Sequence, residues 1–547
     1  MRIRTATVKA RRLARCEQGY TMFFALMVLL VSALLVTGAY VAVEGDVNLT
    51  HTSTAQRQAY YAAQAGIQVY LDELNSNPNF WTTCPHTPET AGKLVPVAVP
   101  GSTEETYTYE TLASSTAPGG TCKSGEPATI VESSTVTADG TFRAKATGIA
   151  QSGKGPHGEQ LYEQRSIVAT FSHSGFLNYV FLSNYEVEDP TTLPGKPVET
   201  CKHYYKYRKE HNLLLTCPSF PFIEEDELKG PFHTNDASEI QGSPEFGRSK
   251  KDEIQMDEGY YGGTPVFVGT YVKGGATLAP PPTDEELLKT AGYKFKGRTV
   301  IELEEGSPNT MTGSTYNAKG EKEEFKKRAF PANGVVYVEN ATTVNGTAGS
   351  CTIEYSPYVY DKNYEEEEAK PYCGDVYVKG KYTESLTVGS QHDVIVIGPI
   401  ETTHESSGKP TGAATLGLIA NDFVRVYHPV TGSGTSTKTN CPGATNQTAA
   451  TDPRKWGSNP NLVIDAAILS TENSFIVDNF SCGVSLKELT VWGAIAQNWR
   501  GRVTEGPGLA GYPHKNYNYD ERLETEQPPN FLSPETTGGW KATRETE

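Results

Sequence analysis

No two of the nine cysteines stand in a C-x-x-C pair, which excludes a structural zinc site of that spacing. Basic residues are in deficit: 48 Lys and Arg face 65 Asp and Glu, for a net charge of −17 and a pI near 5.3. Nucleic acid is therefore not an expected partner, because phosphate binding needs a basic surface. Catalytic motifs are missing as well. There is no G-x-S-x-G elbow, and His404 in "THESSG" lacks the second histidine of a zinc-protease helix. "GIAQSGKG" at residues 148–155 approaches a phosphate-binding loop, but Gly155 stands where a Ser or Thr should hold magnesium. Alternating runs flank it, so it reads as the loop of a β-hairpin. No spaced D-x-D-x-D-G loop exists; the acidic run at residues 365–368 reads as a solvated loop, with calcium as the one cofactor to weigh. On these absences the chain is expected not to be an enzyme.

What is present begins with one long apolar run. Residues 1–19 carry Arg2, Arg4, Lys9, Arg11, Arg12 and Arg15 against a single acid, Glu17. An uncharged stretch follows over residues 20–43, long enough as a helix to cross a hydrocarbon layer of roughly 30 Å. That is longer than the core of a secretory signal, about 7–15 residues. By the positive-inside rule the basic leader stays cytoplasmic, which makes the chain a single-pass membrane protein exposed at the cell surface. Beyond it, "STAQRQAYYAAQAGIQVYLDELN" has no proline until Pro78. Ala59, Ala62, Ala63, Gly66, Ile67, Tyr70 and Leu74 recur at three- and four-residue steps and form one apolar stripe. Arg57 falls on another face. The pattern predicts one helix over residues 20–76, roughly 85 Å long.

After Pro78 the texture changes. Gly (52) and Tyr (30) are abundant, Met (5) is scarce, and valine-rich runs alternate with Gly, Asn, Thr and Pro, as in an extracellular β-rich protein. Eight cysteines beyond the leader fit disulfides in an oxidising exterior. Neighbours in sequence are the favoured pairs: Cys84 with Cys122, Cys201 with Cys217, Cys351 with Cys373, and Cys441 with Cys482. Eight cysteines allow roughly a hundred pairings.

The expected fold class is α+β. A leader (1–19) precedes the long hydrophobic and amphipathic helix (20–76), and a small antiparallel sheet (77–173) packs on its second half. An irregular disulfide-containing connection (174–263) leads to a mainly-β head (264–503), β-solenoid-like with inserts or alternatively a β-sandwich. A tail (504–547) wraps the last turn. The head is expected from units such as "NGVVYVEN", "GDVYVKG", "HDVIVIGPI" and "LGLIANDFVRVYHP", each with a V-x-V or similar core bounded by Gly, Asn or Asp.

Gly19 followed by Tyr20 and a long apolar helix resembles a type IV prepilin signal, and "RQAYYAAQAGIQVYLDEL" is similar to the N-terminal pattern of minor pilins of the PilX type. "GPFHTN" and the passage from "LGLIANDFVRVYHP" to "PPNFL" resemble large PilX-like cell-envelope proteins. The resemblance implies cleavage by a prepilin peptidase between Gly19 and Tyr20, and other pilin subunits as partners of the helix. The cytoplasmic membrane would hold the chain before assembly. Major pilins carry a Glu at the fifth mature position; here that position is Phe24, and the first acid is Glu44. The implied role is a minor subunit of a type IV pilus or secretion-type filament, its head acting in assembly, capping or adhesion. The alternative is a membrane-anchored surface protein that binds or cleaves glycans. Trp492, Trp499, Tyr517 and Tyr519 are the candidate sugar-stacking residues if exposed, and core contacts if not. Paired acids (Glu224 to Glu227, Asp252 and Glu253) leave polysaccharide cleavage as a residual reading. His233 is expected to make a structural hydrogen bond in a turn.

Overall fold

The computed structural model describes residues 20–76, 80, 85–102, 104–112, 142–154, 157–275, 277–317, 319–351, 371–431, 445–446, 456–504, 510–524, 526–534 and 538–546. The leader, Gly19 included, lies outside them, as do Cys84, Cys122, Cys441 and the acidic run at residues 365–368 weighed for calcium.

Helix α1 spans Tyr20–Ser76 and stops two residues before Pro78, whose ring cannot continue it. Its second half lies on a five-stranded antiparallel sheet of Val97–Ala98, Thr106–Thr111, Phe142–Lys154, Gln160–Ser174 and Gly538–Thr546. Residues 148–154, expected as a hairpin loop, are the second half of the strand Phe142–Lys154, which pairs antiparallel with Gln160–Ser174. The last strand comes from the far C-terminus and pairs beside Gln160–Ser174. Ala63, Ile67, Tyr70 and Leu74 meet Ala144, Ala146, Ile167, Ala169 and Phe171 in one buried cluster. The approach is close enough that a Cβ at Gly148 would lie 1.9 Å from the Ala59 carbonyl oxygen. Only glycine fits there.

The head is built from parallel strands. One column of register partners runs Tyr293, Val336, Val388, Leu418, Ile468, Ile495, Phe181, Phe232, Ile254, Tyr271. A second runs Ile400, Ile464, Val491, Tyr517, Leu228, Phe246, Phe267. Parallel pairing places like positions about 4.8 Å apart on the same face, so a V-x-V run repeated on each strand becomes a continuous apolar wall. Strand Phe181–Glu188 pairs with Glu488–Arg500, so residues 181–273 continue the columns that the C-terminal strands begin.

These pairings correct the expected fold class. Among the described residues the chain is mostly β, with 43% in strands against 17% in helices, and the head contains a closed barrel of seven parallel strands rather than a solenoid-like or sandwich body in an α+β chain. The ring runs Tyr293–Glu304, Val335–Glu339, Leu386–Ser390, Leu416–Ala420, Asn461–Ser470, Val394–Glu401, Val376–Lys381 and back. Closure depends on bent strands with different partners at their two ends. Tyr293–Glu304 pairs with Val335–Glu339 before its bend and with Val376–Lys381 after it. Gly297 makes the bend at φ +61, where a Cβ would also strike the Pro371 carbonyl oxygen at 2.2 Å.

The membrane placement is corrected too. Among the described residues no helix is long and apolar enough to cross a membrane.

Candidate functional site

Two features stand out: the open half of α1 and a buried ladder of charge in the head. From Met22 to Val36 the large apolar side chains of α1, including Phe24, are 50–70% exposed. Ser32 and Thr37 turn their hydroxyls back onto the carbonyl oxygens of Leu29 and Ala33, which leaves the surface apolar all round. The other half is closed. Ala62, Ala63, Gly66 and Ile67 are buried against the sheet, while Arg57 points to solvent. A Cβ at Gly66 would lie 2.9 Å from the Tyr107 ring. Tyr70 anchors the interface: it stacks on Phe171 at 5.2 Å, and its hydroxyl meets Thr111 Oγ1 at 2.7 Å. Tyr20 and Glu44 lie within α1.

The ladder starts from an acid just before each valine-rich strand. Asp375 precedes Val376, Asp393 precedes Val394, and Asp422 stands two residues before Val424; these three valines are register partners. Asp393 Oδ1 accepts the N–H of Phe423 at 2.9 Å, so a carboxylate caps the neighbouring turn. Stacked acids repel, and two cations interleave with them. His392 Nδ1 lies 2.5 Å from Asp375 Oδ1, and its Nε2 lies 3.4 Å from Asp422 Oδ2. Arg425 bridges Asp393 at 2.9 Å and Asp478 at 3.2 Å. Burial alone would depress the His392 pKa, but Asp375 and Asp393 hold it up at about 10. Burial and the neighbouring Asp393 charge push Asp422 up to about 7. Asp375, Asp393 and His392 offer ligand atoms within 4.8 Å of one another. The imidazolium proton and the Arg425 guanidinium already balance those carboxylates, so the arrangement is built to hold protons. Nothing marked this cluster in the sequence beyond the recurring Asp before V-x-V runs.

A second network lies under the Cys201–Cys217 loop. Arg208 reaches Asp236 at 2.7 Å and Arg500 reaches Glu186 at 2.7 Å, all four buried. His233 is buried with Nε2 at 2.7 Å from Asn235 Oδ1, and Asn235 bridges onward to Asn184 and Leu278. On a third face His404 Nε2 lies 2.7 Å from Asp465 Oδ2.

Cys201–Cys217 and Cys351–Cys373 are disulfides. Cys482 is disulfide-bonded; its expected partner Cys441 is outside the described residues, as is the Cys84–Cys122 pair. The aromatic candidates do not form an open platform. Trp499 is buried and stacked on Tyr185 at 4.5 Å, Tyr517 stands in an interior column, and Tyr519 is buried with its hydroxyl donating to the Leu177 carbonyl; only Trp492 is half-exposed. No protein-family model matches the chain, and no curated protein or solved structure is significantly similar to it.

Proposed function

We propose that the chain is a minor, pilin-like subunit that joins a filament through α1 and presents its β-rich head outward for capping or adhesion. The observation that carries this reading is the division of α1. A rod of large apolar side chains over residues 22–36 stands exposed among the described residues, while the following half is locked to its own sheet. Leaving such a surface in water is costly at about 25 cal/mol per Å². Neighbouring rods of the same kind would cover it by knobs-into-holes contact. The leader-and-stripe resemblance supports the same partner, other pilin subunits, and a prepilin peptidase acting between Gly19 and Tyr20. Phe24, in place of an acid at the fifth mature position, removes the charge that would pair with a neighbour's amino terminus, which fits a minor place in the polymer.

The test is incorporation. Filaments sheared from expressing cells should contain the chain with Tyr20 as its first residue, read by mass spectrometry. Leu30→Asp should abolish incorporation while the head melts as in the parent protein. A mature chain that keeps Met1, or a Leu30→Asp variant that assembles normally, overturns the reading.

A further inference from the structure

We infer that the cleft beside the Cys201–Cys217 loop is a binding site for a neutral saccharide. The cleft measures about 420 Å³, at the lower end of the roughly 300–1,000 Å³ of small-molecule sites, and suits one or two sugar rings. Its walls are set before any ligand arrives. The chain folds into two short helices, α2 (Val198–Cys201) and α3 (Tyr205–Glu210), and the disulfide ties α2 to Cys217 beyond α3. Tyr207 stands between the rings of His203 and His211 at 4.0 and 3.9 Å, so its edge and hydroxyl, not its faces, meet the cleft. Tyr185 is fixed by its stack on Trp499, and the Tyr204 hydroxyl donates to Asn184 Oδ1 at 3.1 Å. Side chains already immobilised lose little entropy when they bind.

The chemistry of the lining selects the ligand class. Lys202, Lys206, Glu210 and Glu258 line the cleft, two charges of each sign. A strong anion or cation gains little from such a set. Lys202 is engaged by Glu199 at 3.2 Å, and Glu258 accepts the Lys206 backbone N–H at 2.6 Å. A polyhydroxyl ring both donates and accepts, so it can meet ammonium, carboxylate and phenol groups at once. The cleft therefore offers what a neutral sugar needs: donors and acceptors side by side, without net charge. This site lies in the head and does not involve α1, so it stands or falls apart from filament assembly.

The experiment uses the full chain and a fixed set of probes: chitotriose, cellotriose and maltotriose as neutral sugars, a hyaluronan tetrasaccharide as the anion, and spermidine as the cation. Saturation-transfer NMR detects contact and calorimetric titration measures affinity. At least one neutral probe is expected to bind with a dissociation constant below about 1 mM. The exposed substitutions Lys206→Ala and Glu210→Gln should each weaken it about tenfold, and Leu215→Ala, in the same loop but outside the cleft, should not. The inference is overturned if no neutral probe binds, if only the anion or the cation binds, or if Lys206→Ala and Glu210→Gln leave binding unchanged.

Discussion

The first half of α1 holds Met, Phe, Leu and Val side chains in the open, and the second half buries Ala, Gly, Ile and Tyr against a sheet. The helix is continuous through both, so the difference lies in what each half can approach. Small residues let two backbones come near; the Ala59 carbonyl and the Gly148 backbone are almost in contact. Large residues keep a helix at arm's length and suit contacts between separate rods. Intramolecular packing and the proposed intermolecular packing thus use opposite side-chain sizes along one helix.

The sharpest way to break this contrast is Gly148→Val. Its side chain has no space against the Ala59 carbonyl, so helix and sheet must part, at a cost of more than about 3 kcal/mol. Calorimetry should show the helix–sheet transition lost while that of the parallel head persists. A smaller effect, with the head as its target, comes from pH. The His392 pKa is raised to about 10 in the fold, so its stabilisation is complete below its unfolded value near 6.5 and disappears as pH rises through 10. Asp422, raised to about 7, acts in the same sense: it favours the fold when protonated below about 4 and loses that contribution as pH rises through 7. The head transition should therefore drop between pH 5 and pH 10 by an amount on the order of a few kcal/mol. His392→Gln should flatten the upper part of that profile, and an unchanged profile would remove His392 from the account. Next in size, Tyr70→Phe leaves the ring stack and deletes the bond to Thr111, for a loss of about 1 kcal/mol in the helix–sheet transition. At the bottom of the scale, Leu29→Ala in the open half should change the stability of the isolated chain by less than about 0.5 kcal/mol. A loss of several kcal/mol there would show that residues 22–36 already pack on something within the chain.

Much of α1 could be read from residue order. The stripe of Ala59, Ala62, Ala63, Ile67, Tyr70 and Leu74 marks its buried face because helical neighbours recur every three or four positions. The disulfides Cys201–Cys217 and Cys351–Cys373 were legible as short loops between neighbouring cysteines. The charge ladder was not. Asp375, Asp393 and Asp422 are scattered over nearly fifty positions, and only parallel stacking brings them to one edge with His392 and Arg425. For Trp499 and Tyr517 residue order favours core contacts over an exposed sugar platform without deciding between them, since an aromatic ring serves either; the register of their strands places both inside.

Residue order by itself determined the local choices: an uninterrupted helix up to the last turn before Pro78, strand-forming valine runs, and turns at Gly, Asn and Asp. These follow from backbone sterics and side-chain periodicity, which act over a few residues. Only the tertiary structure decided which strands are neighbours. It set Phe181–Glu188 beside Glu488–Arg500 and bent Tyr293–Glu304 to close the seven-strand ring. Such pairings join segments from tens to hundreds of positions apart, and many valine runs of similar composition compete for each edge. The winner is set by the packing of the whole interior, which no short window of sequence contains.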